Sequence, residues 1–256
     1  MKTRSLVAAA NIGFMFLLMR GIKAEAAEIK VLSANGMRLI MQDLGPKFER
    51  ATGHKLAIRY ASAETNVKRI QEGETGDLVI TPRPGIDTLM QEGKVVETPG
   101  AVVARSGISV AVPKGVPKPD ISSPDALKRT LLAAKSICYT NPADGGASAI
   151  HFTRVLDRLG IANEMKPKTV FSSRVGDTVA NGGAEIGVQQ TQQLISVAGI
   201  EIVGPLPGDL QETIVFSAAI MSGARNSDAA RALVDFLRAP EAAPVIKAMG
   251  MEPATP

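Results

Sequence analysis

Four short polar segments hold the residues able to do chemistry: Ser33-Ala-Asn-Gly-Met-Arg38, Ser62-Ala-Glu-Thr-Asn66, Thr140-Asn-Pro-Ala-Asp-Gly-Gly-Ala-Ser148 and Ser172-Ser-Arg174. The first three each follow an apolar run that reads as a strand, and all four lead into a helical pattern. Small hydroxyls, amides and glycines at such a place leave backbone N–H groups free at a helix start, which is the chemistry of anion binding. The candidate ligand-binding residues in these segments are Asn35, Gly36, Arg38, Glu64, Thr65, Asn141, Ser148, Ser173 and Arg174. Arg83 lies beside them, just after the strand at 77–80. Arg38, Arg83 and Arg174 could each clamp a carboxylate or oxyanion by two parallel hydrogen bonds. Taken singly, each segment is an ordinary helix cap. Four of them at the carboxyl ends of strands, where α/β sheets bind ligands, make a site.

Other chemistries lack their residues. Gly145-Gly146 and Gly182-Gly183 have neither the dinucleotide spacing nor a Walker lysine, and no Gly-x-Ser-x-Gly elbow occurs. The two histidines, His54 and His151, cannot form the usual His-Glu-x-x-His zinc motif. No cofactor, metal or catalytic group is therefore expected, and the chain reads as a non-enzyme. The rival is an enzyme on the same scaffold, with Glu64 or Asp144 as its base. The single cysteine, Cys138, lies in an apolar strand and rules out an intramolecular disulfide.

The rest of the sequence supplies elements to position these segments. Residues 1–26 read as a secretory signal: Lys2 and Arg4, an apolar stretch from Leu6 to Met19, then Ala24-Glu-Ala26. Arg20 and Lys23 fit this poorly, so an uncleaved anchor is the alternative. The leader contributes Lys2, Arg4, Arg20 and Lys23 against Glu25, so its removal takes the net charge from +4 to +1. With no basic run, no Trp and only 4% aromatics, the chain is not expected to bind nucleic acid. From Glu28 onward strands and helices alternate, which predicts mainly parallel sheets flanked by helices. Two similar blocks predict two α/β lobes, 27–105 plus 213–256 and 108–205, with hinge crossings near 105–108 and 205–213. Gly45-Pro46 predicts a kink in the first helix.

The order and spacing of Ile29 to Arg50, Tyr60 to Ile80, Asn141 to Gly160, Ala184 to Val188 and Phe236 to Pro240 resemble the type II periplasmic solute-binding proteins of ABC importers. Within that class the chain is most similar to the molybdate-binding family. The resemblance implies a two-lobed fold with a two-crossing hinge and a monomer in the periplasm. It also implies a small anionic ligand and delivery to the membrane subunits of an ABC permease. The family's ligand positions fall at Gly36, Glu64, Ser148, about Ser173, and Gln190. Small hydroxyl residues usually stand at the first two and a tyrosine at the last. A carboxylate 4 Å from an oxyanion costs about 1 kcal/mol in water and about 4 at an effective dielectric of 20. Either Glu64 turns away, or it pairs with an arginine, or the ligand is a small organic anion rather than molybdate. A sensory module reading lobe closure is a further alternative.

Overall fold

The computed structural model describes residues 26–96 and 102–254. Apart from Ala26, the expected leader lies outside the described residues. The elements in chain order are β1 (Glu28–Ala34), α1 (Arg38–Thr52), β2 (Lys55–Ala61), α2 (Ala63–Gln71), β3 (Leu78–Pro82), α3 (Arg83–Gln91), β4 (Val95–Val96) and β5 (Val102–Ser106). After Gly107 come β6 (Ile108–Pro113), α4 (Pro124–Ala133), β7 (Ile137–Tyr139), α5 (Ala147–Arg158), α6 (Ala162–Met165), β8 (Thr169–Phe171), α7 (Val175–Ala180), β9 (Ile186–Gln190), α8 (Thr191–Leu194) and β10 (Ile200–Pro205). The chain then returns through β11 (Ile214–Met221), α9 (Ser227–Arg238), α10 (Ala243–Ala248) and β12 (Glu252–Pro253).

Two sheets result. One has the order β12-β5-β11-β3-β1-β2 with β4 also on β11, and the other has β10-β6-β9-β7-β8. The chain passes between them at Gly107 and again over residues 206–213. The sheets are mixed rather than mainly parallel. β1, β2 and β3 pair in parallel, as do β7 with β8 and β9. The strands next to the crossings, β5, β6, β10 and β11, pair antiparallel. Parallel pairing needs a crossover helix, which the strand–helix units provide, whereas a strand entering from the other sheet can run the opposite way.

Helix α1 shows how sequence becomes packing. Ile40, Met41, Leu44 and Phe48 recur at helical spacing and are at most 2% exposed. Each such side chain contributes about 1.5–3 kcal/mol of burial. The helix continues through Pro46. Pro46 falls on the exposed side, and so does Gln42, whose carbonyl loses its helical partner there. Helix α4 begins as its Ser-Pro-Asp signal predicts, with Ser123 Oγ accepting from the Ala126 amide at 3.1 Å. Strand β8, only three residues long and edge-placed, carries too little periodicity to be read from sequence.

The histidines serve the framework. His54 is buried, accepts from the Ala27 amide at 3.1 Å through Nδ1, and stacks on Phe48. His151, on α5, lies with Nε2 2.8 Å from the Leu210 carbonyl and Nδ1 against the Glu212 carboxylate. It ties the second crossing to the β6–β10 lobe. Gln211, between those two partners, accepts from the Ile108 amide at 3.1 Å and donates to the Ile108 carbonyl at 3.0 Å. The two crossings are thus joined side by side.

Asp77 is the buried charge of the first lobe, only 3% exposed. Its carboxylate accepts from the amides of Lys30, Arg225 and Asn226, each at 2.9 Å. Burial pushes this carboxyl up. The Lys30, Asn226 and Arg225 hydrogen bonds more than offset that, so its pKa lies below the ordinary value. Asp77→Asn should therefore cost about 2 kcal/mol near neutral pH, measured by denaturant unfolding. A depressed folded pKa gives stability that is present above the unfolded value of about 3.9 and lost as pH falls through the folded one. The gap between the two proteins should close over that acidic window.

Cys138 is fully buried on β7, and burial pushes its thiol up to about 11. The native protein should resist thiol reagents at pH 8 and become reactive only on unfolding.

Candidate functional site

The carboxyl ends of six strands meet at one cleft. Ala34 ends β1 and Asn35 follows it, Ser62 follows β2 and Pro82 ends β3; Thr140 follows β7, Ser173 lies just beyond β8, and Gln190 ends β9. All line a space of about 490 Å³ between the two sheets' lobes. Pro82 and Phe216 are opposed across the β3–β11 ladder and form its apolar floor on the first lobe.

Helix starts point at the same space. The 3-10 turn Asn35–Met37 leads into α1, and Ser62 and Ala63 begin α2. Gly146, Ala147 and Ser148 begin α5, and Arg174 to Asp177 begin α7. Ser62 caps α2 by accepting from the Thr65 amide at 3.2 Å. The turn before α1, α5 and α7 have no side-chain cap. Their first-turn amides carry partial positive charge and no side-chain acceptor, the condition for holding an anion.

Two guanidiniums flank these starts from opposite lobes. Arg38 lies over the Tyr60 ring, 4.1 Å from its centroid, and donates to Asn35 Oδ1 at 3.0 Å. Burial raises the Tyr60 hydroxyl's pKa, partly countered by Arg38. Arg174 donates to Asp177 Oδ2 at 2.8 Å. The wall on the β9 side is an amide cluster of Gln189, Gln190, Gln192 and Gln193. Asp144 is the cleft-lining carboxylate that makes no hydrogen bond or ion pair among the described residues.

Of the residues singled out from sequence, Asn35, Gly36, Arg38, Ser148, Ser173, Arg174 and Gln190 line this cleft. Four others do not. Thr65 Oγ1 accepts from Ser62 within the α2 cap, and Asn141 Oδ1 caps a 3-10 turn through the Ala143 amide. Arg83 is spent on an exposed pair with Asp87 at 2.7 Å. Glu64 turns away: it lines a neighbouring cavity of about 340 Å³ with Arg154 and Glu212 and abuts Gly145. Gly145 has φ +70°, and a Cβ there would lie 2.2 Å from that of Glu64. This removes the repulsion that a carboxylate in the Glu64 position predicts.

Reading the sequence missed Ser62 and Ala63, which stand at the cleft in place of Glu64 and lie just before it in the same turn. It also missed Gln189, Gln192 and Phe216. The run Gln-Gln-Thr-Gln-Gln at the end of an apolar strand was a legible signal for the amides. Phe216 arrives from the returning strand and has no local signal.

Two α/β lobes, linked twice and facing each other with helix starts across a cleft, define a two-lobed solute-binding fold. The sequence profile of the bacterial extracellular solute-binding protein family matches residues 29–252, and the chain belongs to that family. An aconitate isomerase from Pseudomonas sp is 35% identical over 232 residues, spanning 88% of this chain and 87% of that protein. The molybdate-binding protein ModA of Azotobacter vinelandii is 32% identical over 241 residues, spanning 89% and 90%. The solved structure of the Azotobacter vinelandii periplasmic molybdate-binding protein superposes with a TM-score of 0.71 at 23% identity, covering 87% of this chain and 98% of that one. Among the described residues no helix is long and apolar enough to cross a membrane.

If the uncapped amides of α5 hold an anion, an internal carboxylate should compete for them. Gly146 has φ −82°, and a Cβ there meets nothing closer than 3.7 Å. Gly146→Asp should therefore fold with an unfolding temperature equal to or slightly above the parent's. In differential scanning fluorimetry it should lose most of the stabilisation that anionic ligands give the parent.

Proposed function

We propose that the chain is a periplasmic capture protein for small organic polycarboxylates. The ligand is held between the lobes and handed, in the closed form, to the membrane subunits of an ABC permease. The observation that carries this is the pair of guanidiniums, Arg38 and Arg174, set on opposite lobes beside uncapped helix starts. Planar guanidinium forks match carboxylates, and two forks on opposite walls suit a ligand with carboxylates at both ends. A cleft of about 490 Å³ is within the range of roughly 300–1,000 Å³ typical of organic ligands and is generous for one tetrahedral oxyanion. The aconitate isomerase likeness supports the same ligand class, since aconitate is a tricarboxylate. In this reading Asn35, Gly36, Arg38, Ser62, Ser148, Ser173, Arg174 and Gln190 surround the ligand. Binding shifts the lobes toward closure because only the closed form contacts both ends of the guest.

A second reading, favoured by the isomerase relative and the unpaired Asp144, is an isomerase working in the same cleft. The Asp144 carboxylate would take a proton from the CH₂ carbon of an unsaturated tricarboxylate. The double bond would move one position, and the proton would return to the former vinyl carbon. Such a shift is redox-neutral and needs no cofactor.

Thermal shift and calorimetry with trans-aconitate, citrate and tricarballylate, set against molybdate, tungstate and sulfate, test the first reading. A cognate ligand at a hundred times its Kd adds about 2.7 kcal/mol. For a chain of this size that amounts to roughly 5–10 °C, taking about 2–4 °C per kcal/mol. A tricarboxylate should produce this shift and molybdate should not; the reverse result overturns the proposal. Proton NMR of trans-aconitate incubated with the protein separates the two readings. An unchanged spectrum supports capture. Appearance of the cis isomer, abolished by Asp144→Asn with binding retained, supports the isomerase.

A further inference from the structure

Gln192 belongs to the amide wall of the cleft but is not among the residues placed around the ligand, and it is only 1% exposed at the seam between the lobes. It belongs to α8, on the second lobe, and its Nε2 donates to the Gly36 carbonyl on the first at 3.2 Å. The same nitrogen donates to Gln190 Oε1 at 2.7 Å. Its Oε1 accepts from Ser106 Oγ, the residue that precedes the crossing at Gly107. Ser106 is 2% exposed and Gln190 6%.

The polarity of this relay follows from its fixed end. A backbone carbonyl only accepts, so the Gln192 atom facing Gly36 is nitrogen. That nitrogen faces the Gln190 side chain, so the atom it meets there is the carbonyl oxygen. The Gln192 oxygen then needs a donor, and the Ser106 hydroxyl, whose one proton is shared with the Gly107 carbonyl at 2.9 Å, is the donor in reach. The Gln190 nitrogen is left with no protein partner among the described residues, while Gln190 lines the cleft. Gly36 holds the arrangement tightly, since a Cβ there would lie 2.5 Å from Gln190 Oε1 and 3.1 Å from Gln192 Nε2. In so dry a setting a reversed carboxamide would place like dipoles together.

We infer that Gln192 is a positioning residue that fixes Gln190 as a hydrogen-bond donor to the cleft. The site thereby selects ligands presenting a bare acceptor oxygen, carboxylate or oxyanion, over neutral ligands that present a donor. Because the Gly36 contact spans the lobes, this polarity is set only when they meet. The inference deepens the proposed function and rests on its placing an anion in the cleft, but not on that anion being a carboxylate.

A double-mutant cycle tests it, with Kd measured by titration calorimetry for trans-aconitate, citrate, molybdate and sulfate. The proteins are the parent, Gln190→Met, Gln192→Met and the double variant, with Gln192→Glu as a near-isosteric alternative should Gln192→Met fail to fold. A hydrogen bond to a charged ligand is worth about tenfold or more in affinity. Gln192→Met should weaken binding of the cognate anion by about tenfold in the parent. In the Gln190→Met background, where there is no donor left to orient, it should weaken binding less than about twofold. Gln192→Glu, with a carboxylate against the Gly36 carbonyl, should behave like Gln192→Met. Equal factors in the two backgrounds, or unchanged affinity in Gln192→Met and Gln192→Glu, would overturn the inference. If molybdate binds and the carboxylates do not, the polycarboxylate reading falls while the cycle still decides the role of Gln192. Binding of none of the four anions would sink both.

Discussion

Backbone amides at a helix start need acceptors, and where no side chain provides one, something else must. In this chain α1, reached through its 3-10 turn, α5 and α7 begin at one cleft without a side-chain cap. That unmet requirement organises the molecule. The parallel β1–β2–β3 and β7–β8–β9 units set strand ends and helix starts on the same edges. The two crossings, bound together through Gln211 and Ile108, turn those edges toward each other.

The lobes also meet directly. Gln192 reaches the Gly36 carbonyl, and Glu64 packs on Gly145, so glycines stand at two places where the opposing lobe makes contact. At Gly36 the absent side chain lets Gln190 and Phe216 approach the backbone. At Gly145 the left-handed backbone admits Glu64. The acidic group that argues against an oxyanion when the sequence is read alone thus lies outside the cleft.

The two-lobed α/β architecture was legible because apolar runs, helical stripes and glycine stops alternate so regularly. The tail after Thr213 read as a return to the first lobe, and β11 lies in the first sheet. Antiparallel pairing beside the crossings was not legible, since strand direction depends on where the chain re-enters a sheet, which no local pattern records. Within the site, loops after strands were visible as polar segments ahead of helical stripes. Which side of a helix start faces the cleft was not: Ser62 and Glu64 are two residues apart on one turn, and only the packing of α2 decides between them. Arg83 and Asn141 have the right chemistry, but neither lines the cleft, and they are held outside it by Asp87 and the Ala143 amide. The relay through Ser106, Gln192 and Gln190 joins residues 86 positions apart. It was beyond any reading of spacing.

The most direct measurement is a crystal structure of the protein with trans-aconitate. The account predicts one tricarboxylate spanning the cleft, its carboxylates accepting from amides at the starts of α1 and α5 and from the Arg38 and Arg174 side chains. A ligand seated on one lobe alone, or in the cavity beside Glu64, would contradict it.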